Sequence, residues 1–139
     1  VKDIGLIQLR NIIWRKEMII TREYLRANPK HIFVFGDNIR RIGKGGAASL
    51  RDEPNTYGFI TKKFPSNDDG SFYHVEEYIN EYYMEIGRLK QKISANPDYT
   101  FLISKIGAGL ANRYNIWEKV IEPNIKNDLK EFSNVKFLF

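Results

Sequence analysis

The sequence predicts an α/β domain, a layered sheet with helices on both faces, and three observations carry that prediction. Short apolar runs alternate with stretches of helical periodicity, and two of the apolar runs end directly in glycine-rich loops. The composition, 42% hydrophobic and 28% charged over 139 residues, suits one globular domain with its own core, so residues 1–139 are read as a single domain.

The elements follow in order. IGLIQLR (4–10) and IIWRKEMII (12–20) are isoleucine-rich and alternate imperfectly, as strands or a hairpin would. TREYLRANP (21–29) reads as a short helix begun by Thr21 and stopped before Pro29. HIFVFG (31–36) is a continuous apolar run closed by glycine, the pattern of a strand buried on both faces. GGAASLRDE (45–53) has small residues suited to a short helix, and GFITKK (58–63) reads as a strand. After a turn-rich loop at 64–71, Phe72, Val75, Ile79, Tyr82, Ile86, Leu89 and Ile93 recur every three or four residues. That spacing makes 71–93 one amphipathic helix starting at Ser71, with Tyr78, Tyr82 and Tyr83 mostly in the core. A turn at 95–99, an apolar strand within 99–109, a helix over 115–132 interrupted at Pro123 and a last strand at 134–139 complete the chain.

Composition narrows the chemistry. Without cysteine there is no disulfide scaffold, zinc-thiolate site or cysteine nucleophile, and two histidines, His31 and His74, disfavour a multi-histidine metal site. No cofactor is expected. No apolar run approaches the ~20 residues that span a bilayer and no signal-peptide core is visible, so a cytoplasmic protein without membrane contact is expected. The net charge of +5 is the one feature that favours nucleic acid, and it is modest. The sequence carries no signal for oligomeric state.

Both glycine-rich loops, 36–46 and 107–109, follow strands immediately and should face one crevice at the carboxyl edge of the sheet. Glycines let backbone amides approach an anion, and two such loops could hold a diphosphate. Each loop taken alone reads equally as a tight connection. Neither matches a P-loop or a dinucleotide fingerprint, which disfavours ATP hydrolysis and dinucleotide redox chemistry.

Asn38-Ile-Arg-Arg-Ile-Gly43-Lys-Gly45-Gly46-Ala47 resembles the first ligand loop of the macrodomains, and Ser104-Lys-Ile-Gly107-Ala108-Gly109-Leu110 is similar to their second. The likeness is nearest to the branch that removes ADP-ribose from glutamate with a lysine. Ile60-Thr61-Lys62-Lys63, the long helix, Lys105-Ile106-Gly107-Ala108-Gly109-Leu110, Trp117-Glu118-Lys119-Val120 and the last strand follow its order from about residue 31 onward. The string from Gly36 through Ala48, with Arg51-Asp52-Glu53-Pro54-Asn55 after it, also resembles small phage and bacterial macro-like proteins.

The resemblance implies a macrodomain-like fold that binds ADP-ribose or an ADP-ribosylated substrate. Gly36, Asn38, Gly43, Lys44, Gly45, Gly46 and Ala47 would contact the ligand from one loop. Lys105, Ile106, Gly107, Ala108, Gly109, Leu110, Ala111 and Asn112 would contact it from the other. Asn38 would meet a ribose hydroxyl, or equally support a turn. Lys62 would be the catalytic amine, provided burial or neighbouring cations lower its pKa; as an alternative, Lys62 and Lys63 are a solvated strand-end pair or plain charges for phosphate. Two family positions differ. The acidic residue that follows the first strand is absent, with only Asn11 and Asp3 nearby, and Ala111-Asn112-Arg113 stands where the branch has its catalytic aspartate. Asp37 is the substitute acid at the ribose end. Arg40 and Arg41 form a solvated rim, Tyr114 and Phe64 could stack on the ligand or pack, Trp117 belongs to the core, His74 has no acid–base partner, and Asp68-Asp69 sit in a solvated turn. Turnover is left open: a hydrolase of ADP-ribosyl bonds, a pure binding module and a basic nucleic-acid binder are the competing readings.

Overall fold

The computed structural model describes residues 19–139. The expected strands at 4–10 and 12–20, with Asp3 and Asn11, lie outside the described residues, apart from Ile19 and Ile20, which are in no strand. From there the chain runs α1 (Arg22–Ala27), β1 (His31–Asn38), a 3-10 turn (Gly46–Leu50), β2 (Thr56–Lys62), a 3-10 turn (Asp69–Ser71), α2 (Val75–Ala95), β3 (Thr100–Ile103), a short π-helical turn (Trp117–Ile121), α3 (Ile125–Asp128) and β4 (Val135–Phe137). The fold is α/β.

The four strands form one sheet in the order β2-β1-β3-β4, and every pairing is parallel. β1 is a central strand with a hydrophobic cluster over each face, which explains why Ile32, Phe33, Val34 and Phe35 are all buried and why the run does not alternate with polar residues. Its residues divide between two hydrophobic clusters. Ile32 and Val34 join Phe59, Phe101, Ile103 and the inward face of α2, whereas Phe33 and Phe35 join Leu25, Leu50, Leu102 and Leu138.

α2 forms because Tyr78, Tyr82, Ile86, Leu89 and Ile93 share one buried stripe. Each such side chain contributes roughly 1.5–3 kcal/mol by leaving water. Glu85 lies on the same stripe, fully buried, and is satisfied because its Oε1 accepts the Ile60 backbone N–H at 2.6 Å while Arg88 donates to Oε2. The helix starts at Val75 rather than Ser71. Residues 69–71 are taken up by the 3-10 turn and Phe72 by a β-bridge to Lys62, which leaves His74 as the first cap, its N–H donating to Glu77 Oε1 at 3.3 Å. Ile79, expected on the apolar face, is 43% exposed, as is Tyr83 at 53%.

The stretch Arg51–Asn55 ties the two ends of the sheet layer together. Glu53 accepts from Arg22 at 2.6 Å and Arg26 at 3.1 Å, clasping α1. Asn55 donates to the carbonyls of Leu25, Asn28 and His31, joining the end of α1 to the start of β1. Arg51 turns the other way, into the glycine loop.

Candidate functional site

β1 and β3 are adjacent, but the chain leaves β1 toward β2 on one side and leaves β3 toward β4 on the other. Their loops therefore diverge and open a crevice beyond the carboxyl ends of the strands, where open α/β sheets bind ligands. A cavity of about 520 Å³ occupies that position. Its volume falls in the roughly 300–1,000 Å³ range of small-molecule pockets.

Of the residues singled out from the sequence, Gly36, Asp37, Asn38, Gly43, Gly45, Gly46, Ala47, Lys62, Lys105, Ile106, Gly107, Gly109, Leu110 and Ala111 line this cavity. Three others do not. Lys44 reaches outward to Asp52 at 2.6 Å, Ala108 is not part of the wall, and Asn112 spans its own turn, donating to both Glu118 oxygens and accepting from the Trp117 N–H at 3.0 Å. Ile42, Ala48, Arg51, Thr61, Pro65, Asn67 and Ser104 complete the lining.

The loops use the positive-φ backbone geometry that favours glycine. Gly43, Gly46 and Gly107 have φ of 97°, 57° and 81°. At Gly107 a side chain would also lie 2.5 Å from Ile121 Cδ1. Both loops leave backbone amides without a protein acceptor. Among the described residues, nothing accepts a hydrogen bond from the amides of Gly43, Gly45, Gly46 and Ala47 in the first loop, or of Gly107, Gly109, Leu110 and Ala111 in the second. All eight residues border the same cavity.

Asp37 and Arg51 hold the first loop in shape. The Asp37 side chain is 2% exposed; its Oδ1 accepts from Arg51 Nη2 at 2.7 Å and from the Asn38 N–H at 2.8 Å, and its Oδ2 from Arg51 Nη1 at 3.1 Å and Arg41 Nη1 at 3.4 Å. Arg51 then donates Nε to the Gly43 carbonyl at 2.8 Å and Nη2 to that of Ile42 at 3.2 Å, while lying over the Phe35 ring. The carboxylate expected to act as a free acid is thus occupied inside the loop. Gly58 makes room for it, since a Cβ there would sit 2.2 Å from Asp37 Oδ2. Asn38 supports the same turn, accepting from the Arg40 N–H at 3.0 Å and donating to the Ile42 carbonyl at 2.8 Å, which leaves one N–H and one lone pair of its amide for another partner. Arg41 is part of this network rather than a solvated rim, and donates to the Gly58 carbonyl at 2.9 Å.

Lys62 reaches the cavity because β2 bulges. Asp37 pairs with Ile60 but Asn38 with Lys62, so Thr61 is the extra residue, buried beside Gly36. Among the described residues the Lys62 ammonium has no carboxylate partner and lies 4.7 Å from the Phe72 ring centroid. Burial, and then the Arg113 guanidinium, hold its pKa below the ordinary lysine value. Lys63 points elsewhere and pairs with Glu77 at 2.6 Å.

The family model of DUF7831, a family of unknown function, matches residues 15–113, which include every residue lining the cavity. The chain belongs to the DUF7831 family. No curated protein and no solved structure matches it. In this DUF7831 member no group of histidine, cysteine, aspartate or glutamate side chains among the described residues could hold a metal ion, and no helix among them is long and apolar enough to cross a membrane.

Arg51 lines the cavity and braces its first loop, yet the sequence assigns it no role. Its traces there are its place in the Arg51-Asp52-Glu53-Pro54-Asn55 string and directly after stretch 45–50, one 3-10 turn from the glycines it clamps.

Proposed function

We propose that this DUF7831 protein is a macrodomain-like nucleotide binder that takes ADP-ribose, or a related NAD-derived nucleotide, in the cavity between its two glycine loops. One observation carries this reading: two runs of backbone amides without acceptors, one from each diverging loop, border a single cavity at the switch point of a parallel sheet. A diphosphate bridging the loops would accept from both runs. Hydrogen bonds to a charged group are worth about 1.5–3 kcal/mol each, so amides from both loops would add to the affinity for a diphosphate. The resemblance of both loop sequences to macrodomain ligand loops supports the choice of ADP-ribose among diphosphates.

Binding is favoured over turnover because Asp37 is held by Arg51 and Arg41. Hydrolysis of an ADP-ribosyl bond is the second reading, and it is favoured by the unpaired Lys62 at the cavity wall with its lowered pKa. A nucleic-acid interface has less support, since among the described residues Arg22, Arg26, Lys44, Lys63, Arg88, Lys90 and Arg113 are each paired with a carboxylate. Calorimetric titration with ADP-ribose, AMP and a short oligonucleotide separates the readings. Preference for ADP-ribose supports the nucleotide site; length-dependent, salt-sensitive oligonucleotide binding alone contradicts it.

A further inference from the structure

Behind Lys62 lies a cluster that nucleotide binding leaves without a task. The buried Phe72 ring has the Lys62 ammonium 4.7 Å from its centroid and the Arg113 guanidinium carbon 4.0 Å from it. Backbone pairing sets one half of this geometry, because Lys62 and Phe72 form an antiparallel bridge. The second glycine loop sets the other half. Arg113 Nη1 donates to Asp69 Oδ1 at 2.7 Å, the Tyr114 hydroxyl reaches the same oxygen at 3.4 Å, and the Tyr114 ring stacks on His74 at 3.9 Å. The loop is therefore pinned to the 64–74 segment just where Lys62 leaves the sheet.

We infer that Arg113 is the positioning residue of Lys62: lying on the Phe72 ring and held by Asp69, it keeps the Lys62 amine at the cavity wall and sets a permanent cation beside it. This rests on the reading of the cavity as the ligand site, with Lys62 facing the ligand. A guanidinium does not lose its proton in proteins, whereas a lysine ammonium does when a second cation and partial burial disfavour its charge. Of the two cations on one ring, Lys62 is the one that yields. Of the surrounding charges, the Asp69 carboxylate on Arg113 opposes this, but it is 83% exposed and screened by solvent. Lys63 is paired with Glu77, Asp37 with Arg51 and Arg41, and Asp69 with Arg113; Lys105 lies over Trp117, Asp68 is in the exposed loop, and His74 is stacked on Tyr114. Arg113 thus supplies the fixed charge, and Lys62 supplies a lone pair.

The test uses the ligand-free protein, so its outcome is independent of whether ADP-ribose binds. Lysines are acetylated briefly with acetic anhydride across a pH series and quantified residue by residue by mass spectrometry. Lys62 should reach half its maximal rate at lower pH than the exposed Lys92 and Lys119. In Arg113→Gln the Lys62 rate near neutral pH should fall measurably, with Lys92 and Lys119 unchanged. Arg113→Lys should keep most of the wild-type profile, because it restores the charge. Unchanged Lys92 and Lys119 rates, with an unchanged circular dichroism spectrum, show that Arg113→Gln is folded. Lys62 profiles that coincide in wild type and folded Arg113→Gln overturn the proposal.

Discussion

Replacing Arg51 by methionine should unfold the first glycine loop more than any other single change in it. The substitution removes two charge-assisted bonds to a carboxylate that is 2% exposed, and two more to the carbonyls of Gly43 and Ile42. Breaking one partner of a buried ion pair costs about 3–5 kcal/mol, because the other charge is left uncompensated. Here Arg41 remains at 3.4 Å and is half-exposed, so the expected loss lies near the lower end, about 3 kcal/mol. For a chain of this size that lowers the midpoint of thermal unfolding by roughly 10 °C. Asp37→Asn should cost somewhat less, and the double variant should cost clearly less than the sum of the two. A double-mutant cycle by urea unfolding should give a coupling energy of about 2–3 kcal/mol. A coupling below about 0.5 kcal/mol would place the pair with ordinary surface salt bridges and refute the idea that it holds the loop.

Three further outcomes follow from the same geometry. Gly58→Ala pushes a methyl group to within 2.2 Å of Asp37 Oδ2 and should destabilise the protein by about 1–3 kcal/mol in denaturant unfolding, with a parallel loss of ligand affinity. Gly45 has φ of −77°, and no atom lies within 4 Å of the point where a Cβ would project, so Gly45→Ala should change stability by less than about 0.5 kcal/mol, and Gly45→Glu should stay folded by circular dichroism while filling the cavity. Asp52, Glu53 and Glu77 are held below their ordinary values of 3.8, 4.5 and 4.5, chiefly by Lys44, Arg26 and Lys63. Their native states favour the carboxylate, so their contribution is present above about pH 5 and is lost as the pH falls through the lowered values; the unfolding midpoint should drop over that range, and less steeply in Arg26→Gln.

Much of the site was legible because its signals are local. Gly43, Gly46 and Gly107 adopt positive φ values that favour glycine, and a strand that ends in such glycines announces a loop at the sheet edge. What was not legible depends on partners distant in sequence. Asp37 looks like a free acid until Arg51, 14 residues on, is seen to occupy it. The engagement of Lys44 by Asp52 and of Asn112 by Glu118 is likewise invisible in the loop motifs. The start of α2 was misplaced because Phe72 reads as the first turn of an amphipathic helix, whereas its bridge to Lys62 makes it the wall behind the proposed site. Lys62 itself was visible, but its approach to the cavity rests on a bulge at Thr61 that no period in the sequence reveals.

The most direct measurement is calorimetric titration of ADP-ribose into the wild-type protein and into Gly45→Glu. Micromolar binding to the wild type, stronger than that of AMP and abolished in the variant, is the result expected if the two runs of free amides hold a diphosphate. Absence of heat with the wild type, or equal affinity in a folded Gly45→Glu, would show that the glycine loops serve another purpose.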